Sequence, residues 1–238
     1  MRIEIQEFEY DHGDKRFAAY VAKDADRRGK RPGVAIVHEW LGPGENVKRR
    51  ARMLAELGYV GVAIDMYGVG TRPRDAAEAA VAMNAVLADR PALRARMQRA
   101  IAVVRADADV DPKQVAAIGY CFGGGCVLEL ARAGADVLGV VSFHGALSTT
   151  QPATVRPRAK VLVLHGAEDP FVDAAKVADF MNEMRAVAAD WQLVHYGGAV
   201  HSFTNPQASD PAAGFAFDPK ADARSWQQMR AFLAELFA

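Results

Sequence analysis

The sequence contains little cysteine, carries no net charge and has no long apolar run. Cys121 and Cys126 are the two cysteines in 238 residues, which argues against a structural zinc site and a disulfide framework. Lysine and arginine balance aspartate and glutamate at 29 each, so the composition predicts neither a nucleic-acid nor an anionic-membrane partner. No segment approaches the ~20 apolar residues of a membrane span, and the N-terminal residues lack an apolar core of signal-peptide length. We therefore expect a cytoplasmic protein that is a monomer or a small homo-oligomer.

Short apolar runs are present instead, and they predict strands of a parallel sheet buried on both faces. The runs cover residues 34–38, 60–65, 115–120, 137–143, 161–165 and 191–196. Segments of helical periodicity separate them, and an alternating pattern between Ile3 and Val21 predicts an antiparallel hairpin at one sheet edge. The pattern indicates an α/β fold with a doubly wound, mostly parallel twisted sheet and helices on both faces.

Two segments interrupt this regular alternation. Residues 68–74 form a Gly/Pro/Arg stretch, and residues 205–219 are rich in Pro, Gly and Ala. Both follow elements at the expected carboxyl edge of the sheet, where open α/β folds bind ligands. Each segment either lines a pocket or serves as a surface connection.

The stretch "GYCFG" sets Cys121 between two glycines where an apolar strand passes into a helix. A dinucleotide fingerprint would need glycine at position 121, and a P-loop would need a Gly-Lys-Ser/Thr ending. Cys126 lies about 140° around a helix from Cys121, so a redox pair fits poorly. The pattern matches a nucleophile elbow, whose helix N-terminus also favours a thiolate. The alternative is a structural cysteine on a glycine-rich turn, the role of core residue that we predict for Cys126.

An acid and a histidine follow in the chain order that this elbow requires. "HGAEDPFV" brings Asp169 into a loop after one strand, and "HYGGAVHSF" brings His201 into a loop after the next. We predict that Asp169 orients His201 and that His201 transfers protons. Glu168 is the rival acid, whereas His165 and His195 lie within strands and are predicted to be core histidines.

A developing oxyanion needs two N–H donors. The residue after the nucleophile, Phe122, supplies one, and Trp40 in the loop "HEWLGPGE" is the candidate for the other. Glu39 is an unusual charge at the end of an apolar strand, where burial is costly unless the carboxylate is paired. Glu39 either faces the Cys121 thiol and activates it or binds a loop backbone, and we favour the first.

Taken together, "HEWLG", "GYCFGGG", "HGAEDPFV" and "HSF" resemble the dienelactone hydrolase (carboxymethylenebutenolidase) family of α/β-hydrolases. The resemblance extends over essentially the whole chain. It implies a single α/β-hydrolase domain over residues 1–238 without a large cap, and a triad of Cys121, His201 and Asp169. It also implies that the Glu39 carboxylate interacts with the thiol and helps form the thiolate when substrate binds, and that no metal or cofactor is needed.

The chain departs from this family where substrate would bind. Characterised members hold a substrate carboxylate with two arginines, one of them four residues after the catalytic histidine, where this chain has Asn205. Arg72, Arg74 and Arg90 are near the expected place of the other, but none falls at a matching position. Losing a bidentate clamp makes a less charged ester or lactone at least as fitting as dienelactone. The predicted substrate pocket contains Tyr67, His144, Phe203 and Asn205.

The sequence thus predicts a cysteine-dependent hydrolase of small carboxylic esters or lactones that works through a thioester. A thioesterase or a broad carboxylesterase is the nearest alternative. A non-catalytic thiol-sensing or binding protein on the same fold is the alternative from another class. The presence of Asp169, His201 and an oxyanion loop argues against a sensor, which needs no triad.

Overall fold

A computed structural model describes all residues from 1 to 238. The strands are β1 (Ile3–His12), β2 (Lys15–Asp24), β3 (Arg31–Val37), β4 (Val60–Ile64), β5 (Val110–Tyr120), β6 (Gly139–Phe143), β7 (Lys160–Gly166), β8 (Trp191–Tyr196), β9 (Ser209–Asp210) and β10 (Phe215–Ala216). The helices are α1 (Glu45–Glu56), α2 (Ala76–Ala88), α3 (Arg90–Ala106), α4 (Phe122–Arg132), α5 (Ala174–Ala186) and α6 (Pro219–Leu236). None of the six helices combines the length and apolar composition that crossing a bilayer requires.

The fold is α/β with a mostly parallel eight-stranded sheet and antiparallel N-terminal strands, as the sequence predicts. The chain packs as two compact units, Met1–Ile118 and Gly119–Ala238. The extent of a single domain over residues 1–238 stays a prediction.

In the unit Met1–Ile118, β1 and β2 form the predicted hairpin, which is paired from Ile3↔Asp24 to His12↔Lys15. β2 continues antiparallel onto β4, and β4 pairs in parallel with β3. Residues of β3 and β4 are almost fully buried, which explains their unbroken apolar sequence. α1 crosses this sheet so closely that a Cβ on Gly61 would lie 2.6 Å from the Ala51 carbonyl oxygen.

In the unit Gly119–Ala238, β6, β7 and β8 pair in parallel in chain order. β6 and β7 are buried along nearly their whole length. β8 pairs only with β7 and has exposed residues at Gln192 and His195. His195 is therefore exposed, so its prediction as a core histidine is wrong, whereas His165 is buried as predicted.

β5 begins at Val110, five residues before the predicted start at residue 115. The polar residues Asp111 and Lys113 conceal this extension in the apolar pattern, because they are solvent-facing positions of a strand whose other half is buried. The buried half runs to Tyr120 and delivers the chain directly to Cys121.

Candidate active site

Cys121 occupies a sharp turn between β5 and α4. It is the N-cap of α4 with φ 54° and ψ −116°, a conformation that costs free energy for a non-glycine residue. A Cβ on Gly119 would lie 2.0 Å from the carbonyl oxygen of Gly123, so strand and helix pass too closely for any side chain there. The elbow geometry that the sequence predicts is present, and the sulfur side chain is partly exposed.

The backbone of this turn is held by the segment that follows β6. The Cys121 N–H donates to the Phe143 carbonyl at 3.0 Å and to Nδ1 of His144 at 3.2 Å. Since Nδ1 accepts, the proton of the neutral ring is on Nε2, which donates to Thr204 Oγ1 at 2.8 Å. His144 is fully buried, so this geometry favours support of the elbow over contact with a ligand. The sequence gives no signal for the contribution of Thr204.

Asp169 and His201 meet as predicted. Oδ2 of Asp169 lies 2.7 Å from Nδ1 of His201, and both side chains are buried. Oδ1 of the same carboxylate accepts the Phe171 N–H at 2.9 Å, which fixes its plane. Glu168 is exposed. The geometry therefore selects Asp169 rather than its neighbour as the partner of His201.

Cys121 and His201 form a hydrogen-bonded pair. Burial opposes a charge on His201, but it is outweighed by the negative charge of the Cys121 thiolate and by hydrogen bonds to Asp169 and Cys121. Together with the Asp169 charge, these raise the pKa of His201 to about 10. The arrangement thus favours the imidazolium form of His201 at neutral pH.

The backbone of His201 is held by the irregular segment 205–219. The His201 N–H donates to the Gly214 carbonyl at 3.0 Å, and the Ala216 N–H donates to the His201 carbonyl at 3.1 Å. Within the segment, β9 and β10 form a short antiparallel pair. The segment is therefore more than a surface connection, because it holds the histidine in place.

Two aromatic rings flank the His201 imidazole. Phe171 lies 5.2 Å from it, centroid to centroid, and Phe215 lies 5.7 Å from it, both nearly perpendicular to the imidazole plane. The two phenyl rings are 4.9 Å apart. The sequence motifs single out neither residue, although Phe171 stands only two positions after Asp169.

Phe203 and Asn205, which the sequence analysis assigns to the substrate pocket, follow His201 in the chain. Phe203 is fully buried and packs edge-on against His144 at 5.1 Å. Asn205 is partly exposed, and its Oδ1 accepts the Gln207 N–H at 2.9 Å. Phe203 thus packs in the core beneath the histidines, and the side chain of Asn205 shapes its own turn.

Glu39, Trp40 and Tyr67 lie in the unit Met1–Ile118. Glu39 and Trp40 belong to the turn after β3, where Glu39 Oε2 accepts a 3.4 Å hydrogen bond from Asn46. The Tyr67 hydroxyl is buried and donates to the Trp40 carbonyl at 2.7 Å. Thiol activation by Glu39 and oxyanion binding by the Trp40 N–H stay predictions, and Tyr67 shapes the loop that carries both residues.

A buried polar network, which the sequence does not indicate, underlies the same loop. His38 Nδ1 donates to the Glu39 carbonyl at 2.5 Å, and Nε2 accepts the Met66 N–H at 3.0 Å. Burial lowers the pKa of His38 to about 4, so the ring is neutral. Buried Asp65 lies next to it and binds Arg72 at 3.0 Å.

Two of the three candidate arginines, Arg72 and Arg74, have partners within the unit Met1–Ile118. Arg72 is bound to Asp65, and Arg74 forms an ion pair with Glu78. These pairs reduce the capacity of either guanidinium to hold a substrate carboxylate.

Comparisons with known proteins identify the family and agree with the fold. Residues 17–237 match the model of the dienelactone hydrolase family. A dienelactone hydrolase-like promiscuous phosphotriesterase from metagenomic libraries is 38% identical, with a TM-score of 0.94 over 99% of both chains. An uncharacterized protein of Caenorhabditis elegans is 35% identical over 61% of this chain and 95% of its own. A thermophilic esterase of Thermogutta terrifontis shares the fold, at 20% identity and a TM-score of 0.68 over 98% of this chain and 92% of its own.

Proposed function

Because the chain belongs to the dienelactone hydrolase family, an ester and lactone hydrolase family, we propose that it hydrolyses these bonds through a thioester on Cys121. The observation that carries the proposal is the chain of hydrogen bonds from Asp169 through His201 to a cysteine at a strained elbow. A thiol-sensing role would require none of this constellation.

Acylation begins with attack of the Cys121 thiolate on the substrate carbonyl carbon, which forms a C–S bond and a tetrahedral oxyanion. When the oxyanion collapses, the bond from carbon to the leaving oxygen breaks, and the His201 imidazolium gives that oxygen its proton. The products are the free alcohol and an acyl-Cys121 thioester. Covalent catalysis of this kind replaces one difficult step with two easier ones.

Deacylation reverses the role of His201. The thioester carries no charge, so the thiolate that raises the pKa of His201 is gone and the imidazole can act as a base. A water molecule gives its proton to His201 and attacks the thioester carbon. The C–S bond then breaks, which releases the carboxylic acid and restores the thiolate–imidazolium pair. Asp169 holds Nδ1 throughout, so Nε2 is the nitrogen that exchanges protons.

Backbone N–H groups stabilise the oxyanion in this scheme. Phe122 is the first residue of α4, and the N-terminus of a helix favours negative charge. We assign the second donor to the Trp40 N–H and activation of the thiol to Glu39. For the substrate, an ester or lactone without a carboxylate is favoured, because Asn205 replaces the family arginine and Arg72 is bound to Asp65.

The two cysteines allow a matched test of the nucleophile. Wild-type protein mixed rapidly with p-nitrophenyl acetate should release a burst of nitrophenolate and gain one acetyl group by intact mass. Cys121→Ala should lose both signals, whereas Cys126→Ala, which changes a buried cysteine in α4, should keep both. An unacetylated wild type without turnover would refute the proposal and favour the thiol-sensing alternative. An acetyl group that persists in Cys121→Ala would refute the assignment of the nucleophile.

Hydrolysis of uncharged phosphotriesters is a second candidate function. Its support is the 38% identity, over 99% of both chains, to a protein described as a promiscuous phosphotriesterase. The same thiolate would attack phosphorus, the bond to the leaving alcohol would break, and water would release the diester from sulfur. Paraoxon should leave a phosphorylated Cys121 detectable by mass, and Cys121→Ala should leave none. Wild-type protein that stays unmodified and releases no nitrophenolate from paraoxon would rule this activity out.

A further inference from the structure

An aromatic pair, Phe171 and Phe215, packs against His201, the residue that gives the leaving oxygen its proton in the proposed mechanism. Asp169 occupies Nδ1 of His201, so Nε2 is the atom that meets the thiol and donates to the leaving oxygen. Whatever is attached to that oxygen must therefore lie beside the imidazole ring. Phe171 and Phe215 are the rings that flank this imidazole within the unit Gly119–Ala238 without being buried.

The backbone that carries the pair is bound to the catalytic residues. The Asp169 carboxylate accepts the Phe171 N–H as well as contacting the imidazole. On the other side, a Cβ on Gly214 would lie 2.3 Å from Pro170 and 3.4 Å from the Phe171 ring. Phe215 follows directly and is bridged to His201. The backbones of both phenylalanines are thus tied to Asp169 and His201.

Phe171 is 44% exposed, although it is a large apolar side chain. A single exposed apolar residue on a surface is ordinary. This one lies 4.9 Å from a second ring, tilted against it, and packs edge-on against the His201 imidazole, so a ligand at the site would remove apolar ring surface from water.

The ammonium bound to the Phe171 backbone is already paired. Lys176, in the first turn of α5, donates to the Phe171 carbonyl at 3.0 Å and forms an ion pair with Asp173 at 3.3 Å. Uncharged aromatic groups fit such a surface, because two phenyl rings give offset or edge-on contacts that an alkyl group cannot match.

We propose that Phe171 and Phe215 form a subsite for the leaving group, and that this subsite selects uncharged aryl esters, whose alcohol product is a phenol. The inference rests on the proposed ester hydrolysis at Cys121. It assigns aryl esters as the substrate class, because two phenyl rings pack favourably against an aromatic leaving group.

The test compares two acetate esters that differ only in the leaving group. Phenyl acetate and hexafluoroisopropyl acetate release alcohols of similar acidity, and both form the same acetyl-enzyme. Phe171→Ala should lower the second-order acylation constant about tenfold for phenyl acetate, equivalent to ~1.4 kcal/mol, and should leave the fluoroalkyl ester within about threefold. Phe171→Leu, which keeps bulk but removes the ring, should also favour the fluoroalkyl ester. Val155→Ala, a change at another exposed apolar residue of the same unit, is the matched control and should alter neither constant.

Two further readouts distinguish loss of the subsite from displacement of His201. Hydrolysis of the common acetyl-enzyme should proceed at the wild-type rate in Phe171→Ala, because a displaced His201 would slow this step as well. Phenol should bind to Cys121→Ala protein, as followed by NMR, and the additional Phe171→Ala change should weaken that binding. Equal losses on both esters, or no loss on either, would overturn the subsite. Absence of acetyl-Cys121 in wild type would instead overturn the proposed function, and the assignment of the leaving group with it.

Discussion

At the scale of the residue, His201 is the group whose charge changes between the two half-reactions. In the free enzyme its pKa is raised to about 10, and the Cys121 thiolate and the Asp169 contacts outweigh the penalty of burial. Acylation removes the thiolate charge, so the pKa of His201 must fall in the acyl-enzyme. One imidazole therefore acts as an acid first and a base second without any change of position.

This alternation predicts two different pH profiles. Acetylation of Cys121 requires the imidazolium, so it should decline only as the pH rises through about 10. Decay of the acetyl-enzyme requires neutral imidazole, so its rate constant should rise with pH through a distinctly lower pKa. Quenched-flow mass spectrometry across the pH range measures the rate constants of acetylation and of acetyl-enzyme decay. Asp169→Asn removes a negative charge beside His201, so it should move the pH dependence of both rate constants to lower pH. A single shared pKa would contradict the scheme.

At the scale of the element, one arginine joins two helices to the segment that supports the elbow. Arg132, at the end of α4, binds Glu183 of α5 through two hydrogen bonds of 2.9 and 2.8 Å. It also binds Glu129 within α4 and the Leu147 carbonyl after β6. Glu183 in turn accepts the Ala153 N–H. The buried ion cluster thereby fixes the segment that begins at His144.

Removal of this arginine should be costly, because it leaves two carboxylates buried without their cation. Arg132→Ala is expected to lower the free energy of unfolding by about 3–5 kcal/mol in urea titrations. Arg158→Ala is the matched control, since Arg158 is 72% exposed and its carboxylate contact is 3.8 Å. That variant should lose at most about 1 kcal/mol. Equal losses in the two variants would show that the cluster contributes no more than a surface pair.

At the scale of the whole molecule, buried neutral histidines make the folded state sensitive to acid. His38 in the unit Met1–Ile118 and His165 in the unit Gly119–Ala238 both have pKa values lowered mainly by burial. The unfolded chain therefore takes up protons below a pH of about 6.5, while the folded chain does not. At these two histidines the unfolded state binds more protons, so their contribution to stability falls as the pH falls through this window.

His38 provides the sharper test, since its pKa falls from 6.5 to about 4. Protonation would also oppose the hydrogen bond in which Nε2 accepts the Met66 N–H. Between pH values of about 7 and 4.5, His38 should account for a loss of about 2–3 kcal/mol in unfolding free energy. His38→Asn has no such titration and should flatten the pH dependence measured by urea unfolding. An unchanged slope would refute the assignment.

Much of the fold could be read from the chain because buried parallel strands require continuous apolar runs. Four of the six predicted runs agree within two residues with β4, β6, β7 and β8, and the run 34–38 starts three residues after the beginning of β3. The start of β5 was missed because half of that strand faces solvent. The exposure of His195 was missed because strand order, which leaves β8 with one neighbour, is a property of the assembled sheet.

The sequence by itself determined the elbow, because glycine at position 119 is the residue type that its 2.0 Å approach to Gly123 requires. It also determined the order in which an acid and a histidine follow the elbow. Only the tertiary structure decided which partners these residues have. Asp169 rather than Glu168 reaches His201, His144 supports the backbone of Cys121, and Phe171 meets Phe215 beside the imidazole. The physical reason is that local spacing constrains the backbone of a turn, whereas contacts between side chains from separate loops depend on how the strands carrying those loops pack together.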